Sequence, residues 1–435
     1  MIRYILAFAL TVVALPARAI DIQEITSPGG IDAWLVQESS IPFVAIEIVF
    51  DGGATLDLPG KRGATNLMMA LLEEGSGDLD ARGFQEAREA LAASYGFNAY
   101  DDSVSISAVF LTENQDEAVA LLRSALIEPR FDDDAIERVR AQVQSILRSD
   151  AQDPNSIAGA AFDAAAYGDH PYGSSLDGTT ETVAGLRQVD LFDAHRNALV
   201  TGRVHVGAAG DISAEELGAL IDDLIGDLPS DGPDIPDRVE FGLTGGTTII
   251  DYDTPQSVAL FGHAGIERDA DDFFAAFILN EILGGSGLES RLMREVREER
   301  GLTYGIYTYL VPKDLSESYL GQVASSNDTI AEAIDVVRAE WALMANEGVS
   351  AEELAQAKTY LTGAYPLRFD GNADIAGILV GMQAVGLPTE YIENRNDYVN
   401  AVTLEDVNRV ASELLDPDGL HFVVVGQPEG LEASD

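Results

Sequence analysis

The chain repeats its own order of features, and that repetition restricts the folds open to it more than any single motif. Each half opens with an apolar strand, VAIEIVF (44–50) and SVALFGHAGI (257–266). A helical segment follows in both, GATNLMMALLEE (63–74) and DDFFAAFILNEIL (271–283), and each runs to a Gly-Ser-Gly element at 75–77 and 285–287. REALAASYGFNAY (88–100) and REERGLTYGIYTY (297–309) then match without a gap at Arg, Glu, Tyr, Gly and the final Tyr. The halves also close alike. VHVGAAGDIS (204–213) and LHFVVVGQPE (420–429) are each a strand with His in second place. An ordered set of matches of this kind marks an internal duplication, two copies of one unit rather than a solenoid.

Within each copy, strands and helices alternate. SVSISAVFL (103–111) alternates as a half-buried antiparallel strand does, and amphipathic helices are expected at 113–127 and 132–149. The expected class is α+β: two homologous domains, each an antiparallel or mixed sheet with helices packed on one face. The Pro-, Gly- and Asp-rich stretch LPSDGPDIPDRVEFGLTGG (228–246) reads as a linker, with room for an edge strand. The expected division is 20–228, a linker at 229–246, and 247–435. Gly at the two Gly-Ser-Gly elements suits left-handed helix C-caps.

Before the first copy, Arg3, the apolar run YILAFALTVVAL (4–15) and Ala17-Arg18-Ala19 form the three parts of a cleavable export signal. The run is too short to span a bilayer. We therefore expect residues 1–19 to be a signal peptide and the mature chain to be periplasmic or secreted, with no membrane span. The chain carries 26 basic against 74 acidic residues, a formal net charge of −48. That balance argues against nucleic-acid partners, which need a basic footprint. The acids are spread along the whole length, as in a solvated acidic surface.

Chemistry is sparse. With no cysteine, disulfides, thiolate catalysis and Cys-ligated zinc are excluded. The five histidines, His170, His195, His205, His263 and His421, include no pair at helical i, i+4 spacing, and each is expected to be structural. Gly284, Gly285 and Gly287 lack the Lys-Ser/Thr that a phosphate loop would need. Asp132-Asp133-Asp134 lacks the alternating ligands of a calcium loop and reads as the acidic first turn of a helix.

Four stretches together resemble the pitrilysin/insulinase family of zinc peptidases, the inverzincins. They are the Gly-rich bend and helix (52–77), HPYGSSLDGT (170–179), LGGSGLESRLMREVREERGLTYGIYTY (283–309) and LHFVVVGQ (420–427). The resemblance implies the pitrilysin-like duplicated fold. In that family the first helix carries H-x-x-E-H, two zinc ligands with a general base between them. Aligned on Gly63, those positions hold Asn66, Met69 and Ala70, and the further family ligand falls near Ser145. None of these side chains is a usual zinc ligand, so no metal is expected on this chain.

The family's C-terminal Arg and Tyr survive as Arg297 and Tyr304, which the resemblance implies are substrate-binding. An Arg fork can hold a carbonyl or carboxylate, and a Tyr hydroxyl can donate to an oxyanion. Tyr95 and Arg88 stand at the matching places of the first copy, so part of this pattern is architectural.

Some family members divide the work between two chains. The leading reading is therefore an exported, non-zinc-binding subunit of a heteromeric metallopeptidase, inactive alone. Its partner would be an H-x-x-E-H-containing subunit that holds the zinc, and peptides would be the substrates. The resemblance also implies that a peptide adds to a sheet edge near Gly96–Ser107. A non-enzymatic peptide-binding or assembly protein of the same fold, and a stand-alone metalloendopeptidase with an unrecognised metal site, remain open.

Overall fold

The computed structural model describes residues 21–285 and 287–434. The expected signal peptide, residues 1–19, lies outside the described residues, as does Ser286. The first half runs β1 (Ile22–Thr26), β2 (Asp32–Gln37), β3 (Phe43–Asp51), α1 (Ala64–Leu71), a small ladder of β4 (Gly75–Ser76) and β5 (Leu79–Asp80), and α2 (Ala81–Ala90). It continues with β6 (Ser94–Ala99), β7 (Ser103–Leu111), α3 (Gln115–Ile127), α4 (Asp133–Asp150), α5 (Pro154–Tyr167), α6 (Thr180–Gly185), α7 (Gln188–Ala198), β8 (Val204–Gly210) and α8 (Ala214–Ile225). The second half runs β9 (Thr247–Asp251), β10 (Gln256–Ala264), α9 (Phe273–Gly284), β11 (Ile306–Pro312), β12 (Glu317–Ser326) and α10 (Ile330–Glu347). It ends with α11 (Ala351–Ala364), α12 (Asn372–Ala384), α13 (Tyr391–Ala401), α14 (Leu404–Leu414) and β13 (His421–Gly426).

The duplication is visible in the topology. One sheet is ordered β1-β2-β8-β3-β7-β6, and the other, read from the matching end, β9-β13-β10-β12-β11. In both, one pair is parallel, β2 with β8 and β9 with β13, and the remaining pairs are antiparallel. Strand β1 is an addition to the first half.

Alternation sets which side chains enter the core. On one face of the first sheet, Val44, Ile46, Ile48 and Phe50 of β3 stand opposite Phe110, Ala108, Ile106 and Val104 of β7. All eight are at most 2 % exposed and share one apolar cluster with α1, α3 and α4. Burying each large side chain of this kind contributes about 1.5–3 kcal/mol. The second sheet repeats the arrangement with Phe261, Phe422 and Val424 against α9 and α10.

The expectation of helices on one face is completed by what covers the other face: each sheet receives a helix from the opposite half. Helix α5 of the first half lays Ala158, Phe162 and Ala166 on Val423 and Val425 of β13. Helix α12 of the second half lies on β8 and β3, with Leu379 and Met382 against Val36 and Ala209. The approach is close. A Cβ on Gly207 of β8 would sit 2.5 Å from the Ala376 carbonyl oxygen, so glycine is required there.

Two local expectations differ from the structure. No strand lies in 228–246. Instead the linker runs over the α5 cluster, with Val239, Phe241 and Leu243 packed on it, and with Val239 N–H donating to Leu315 O (2.9 Å) and Gly242 N–H to Ala166 O (2.8 Å). Nor are the Gly-Ser-Gly elements left-handed C-caps. Helix α1 ends at Leu72 in right-handed conformation, and Gly75 belongs to the β4–β5 ladder. Gly285 has φ −59°. Its neighbour Gly284 is needed for close approach, because a Cβ there would lie 2.5 Å from Thr308 Oγ1 of β11.

Candidate functional site

Helix α1 begins at Gly63, whose φ of 96° places it in the left-handed region. Asp57 secures the start by accepting from Gly63 N–H (2.8 Å), Thr65 N–H (2.9 Å) and Thr65 Oγ1 (2.7 Å). This partly offsets the burial that pushes its carboxyl pKa up. The helix packs beside β6, the open edge strand of the first sheet, with β7 one strand further in. Gly96 and Ser107, the two ends of the expected peptide-binding edge, face each other across the β6–β7 pair. The exposed edge is therefore Ser94–Ala99 alone.

The positions where the family places zinc ligands do not fit a zinc ion. Asn66 donates its side-chain amide to Asp177 Oδ1 at 2.6 Å. Burial, then the charge of Asp150, pushes the Asp177 pKa up. Met69, at the general-base position, is 1 % exposed and belongs to the core. Ala70 is exposed but offers no donor atom, and Ser145 is exposed on α4. Among the described residues no group of three or more His, Cys, Asp or Glu could hold a metal ion.

The histidines each have local partners. His170 accepts from Tyr172 N–H (3.2 Å), His195 Nε2 meets Leu126 O (2.8 Å), and His205 Nε2 meets Asp51 Oδ2 (3.0 Å). His263 lies between Ala264 O and the Trp341 indole N–H, and His421 between Gly245 O and Thr248 Oγ1. The His170 turn joins the halves. The Tyr172 hydroxyl bonds Asp102 and accepts from Leu315 N–H (3.1 Å), and Arg62, next to Gly63, donates to Pro171 O and Ser174 O (both 3.0 Å). The triple Asp marks the start of α4, with Asp132 at the N-cap and Asp133 and Asp134 in the first turn.

The matching stretch of the second half is arranged differently. Arg297 lies in a π-helical turn, Met293–Glu298, closed by Glu299 N–H on Arg294 O. Such turns interrupt regular helices at a cost and recur at functional sites. Its neighbours are all engaged: Arg291 with Glu353 (2.6 Å), and Arg294 and Arg300 with Glu295 (3.3 and 2.7 Å). Against the burial that would raise it, Arg291 and the Ser350 cap draw the Glu353 pKa down to about 2. Arg297 has no side-chain hydrogen bond or ion pair among the described residues, in a chain with almost three acids per base.

Tyr304 is 90 % exposed. Its backbone is held by the flanking residues, since Thr303 Oγ1 donates to Ala324 O (2.7 Å) and Ser325 Oγ to Leu302 O (2.5 Å). The loop is thus fixed while the ring stands in solvent. In the first half, by contrast, Arg88 pairs with Glu73 (2.8 Å) and Tyr95 is buried with its hydroxyl on Ala118 O (2.7 Å). The first pair is thus engaged within its own half, whereas the side chains of the second make no such contacts among the described residues.

This fold and this vacated helix define a class. Residues 34–180 match insulinase (peptidase family M16), residues 187–361 match the peptidase M16 inactive domain, and the chain belongs to that family. It is 23 % identical over 386 residues to the non-peptidase homolog YmxG of Helicobacter pylori, covering 88 % of this chain and 89 % of that one. It is 26 % identical over 403 residues to an uncharacterized zinc protease of Mycobacterium leprae, covering 92 % and 90 %. Among solved structures, the peptidase M16 inactive domain from Pseudomonas fluorescens superposes with a TM-score of 0.88 at 26 % identity, covering 95 % of this chain and all of that one.

Proposed function

We propose that this chain is a non-zinc-binding, exported subunit of a two-chain peptidase, which binds peptide segments and lends Arg297 and Tyr304 to the zinc site of an H-x-x-E-H-containing partner. The observation that carries this reading is the contrast between the two copies of the repeat. Arg88 and Tyr95 are consumed by the fold, whereas Arg297 has no partner among the described residues and Tyr304 is 90 % exposed. An extended peptide would pair with Ser94–Ala99 through main-chain hydrogen bonds, beside α1. The Arg297 fork would grip a substrate carbonyl or carboxylate, and the Tyr304 hydroxyl would donate to the developing oxyanion. Asn66, Met69 and Ala70 supply neither ligands nor a base, so the chain alone would hydrolyse nothing.

A second reading, a peptide-binding or assembly protein without any part in catalysis, draws support from the relative named a non-peptidase homolog. One experiment separates the two. The chain is purified alone and with an H-x-x-E-H homologue, and zinc content and peptide hydrolysis are measured for each. The shared-site reading expects hydrolysis only from the pair, and a loss of about 100-fold with Arg297→Ala. Metal-dependent hydrolysis by the lone chain, or a pair indifferent to Arg297→Ala, overturns it. Peptide binding without any active pair supports the second reading.

A further inference from the structure

Away from Arg297 and Tyr304, a cavity of about 830 Å³ opens among α9, α12, α13 and the turn Tyr365–Arg368. Its size is that of a small-molecule site. One wall is aromatic, with Phe273, Phe277, Tyr365 and Tyr391, and Leu367 stands 77 % exposed at its rim. Three arginines line it, Arg268, Arg368 and Arg395, against the single carboxylate of Asp374. In a chain with 26 basic and 74 acidic residues, that local excess of positive charge runs against the composition.

Arg395 is the strongest sign. It is 6 % exposed, donates to Leu361 O (2.7 Å) and Asn396 Oδ1 (3.1 Å), and lies 4.7 Å from the Tyr365 ring centre. It has no ion pair among the described residues. Burial draws its pKa down. Buried cations are normally matched by an anion, because desolvation is otherwise uncompensated. Arg268 lies 4.3 Å from the Phe273 ring centre and reaches the Tyr391 hydroxyl (3.3 Å). Arg368 is exposed and has no side-chain partner among the described residues.

The floor of the cavity points the same way. Gly377 and Gly381 lie one turn apart inside α12, and a Cβ on either would meet no atom within 4 Å. Glycine in a helix interior costs about 1 kcal/mol relative to alanine, and here no packing contact requires it. What these two glycines provide is space.

We propose that this cavity binds a small amphipathic carboxylate, its hydrocarbon or aromatic body on the aromatic wall and its carboxylate among the arginines. The site is independent of the peptide reading above. The shared chemistry could come from a free alkyl carboxylate or from the C-terminus of a short apolar peptide.

Isothermal titration of the purified chain tests this with decanoate against decanamide, and with N-acetyl-Ala-Ala-Phe against its C-terminal amide. At least one acid is expected to bind with a Kd below about 1 mM, its neutral counterpart binding at least about ten-fold more weakly. The tighter acid identifies the source. Gly381→Leu is expected to block binding by filling the floor, and Arg368→Gln to weaken it about five-fold. Both should fold, since the first raises helix propensity and the second alters an exposed side chain; thermal midpoints confirm this. Failure of both acids to bind, equal binding of the amides, or indifference to Gly381→Leu overturns the proposal.

Discussion

Tyr95 and Tyr304 occupy the same place in the two copies of the repeat, yet Tyr95 is 7 % exposed with its hydroxyl on the Ala118 carbonyl, and Tyr304 is 90 % exposed. Removing a buried hydroxyl leaves a carbonyl unsatisfied and costs about 1–1.5 kcal/mol. Removing an exposed one changes stability by less than about 0.5 kcal/mol. Urea unfolding of Tyr95→Phe and Tyr304→Phe should therefore differ clearly. Equal losses would make Tyr304 a structural residue and remove the main support for the proposed function.

Asn66, in the first turn of α1, holds Asp177 across 2.6 Å. Asn66→Ala should destabilise the chain by about 1–3 kcal/mol, because it strands a partly buried carboxylate. The loss should shrink as pH falls. Burial raises the Asp177 pKa above 3.8, so at low pH the group becomes neutral and needs its partner less. Thermal midpoints of wild type and variant across pH 4–8 measure this.

The exchange of α5 and α12 between the halves predicts that they unfold together. Phe162→Ala, in α5 against β13, should cost about 3–5 kcal/mol and lower one cooperative transition rather than split it. A proteolytic nick in the exposed linker stretch 230–235 should leave the two halves associated in gel filtration. Their separation without denaturant would contradict the packing described.

Asp163 on α5 sits partly buried near Lys313 and Asp101, and burial lifts its pKa from 3.8 to about 6 despite the lysine. The folded state therefore holds this proton more tightly than the unfolded chain does. Its contribution is fully present below pH 3.8 and is lost as pH rises through about 6, by up to about 3 kcal/mol. Asp163→Asn should raise the thermal midpoint at pH 7.5 and leave it unchanged near pH 3.5. A stabilisation of equal size at both would show that charge at Asp163 is not the cause.

Much of the fold was legible in the sequence because it rests on local pattern. Strand alternation at 44–50 and 103–111 reports which side faces a core. The absence of ligands at Asn66, Met69 and Ala70 is a fact of composition that no fold can repair. Other features depend on long-range packing, for equally physical reasons. Glycine at 285 suggested a left-handed cap, but φ −59° shows an ordinary conformation, and Gly284 is there to let α9 approach β11. The one signal of the helix exchange was α12, NADIAGILVGMQA, whose apolar residues occupy more than one side. A helix of that kind is covered from several directions, though the sequence does not say by what.

By itself, then, the sequence determined the duplication, the acidity, the lack of thiols and the emptied motif, since each is carried by residue identity and short-range spacing. Tertiary structure alone decided that α5 and α12 cross to the opposite sheets, because that depends on surfaces more than 150 residues apart meeting with complementary shapes, as Gly207 meets Ala376. It also decided which of two matching Arg/Tyr pairs is free. Arg88 and Arg297 look alike in the chain, and only the position of Glu73 beside the first, with no counterpart beside the second among the described residues, tells them apart.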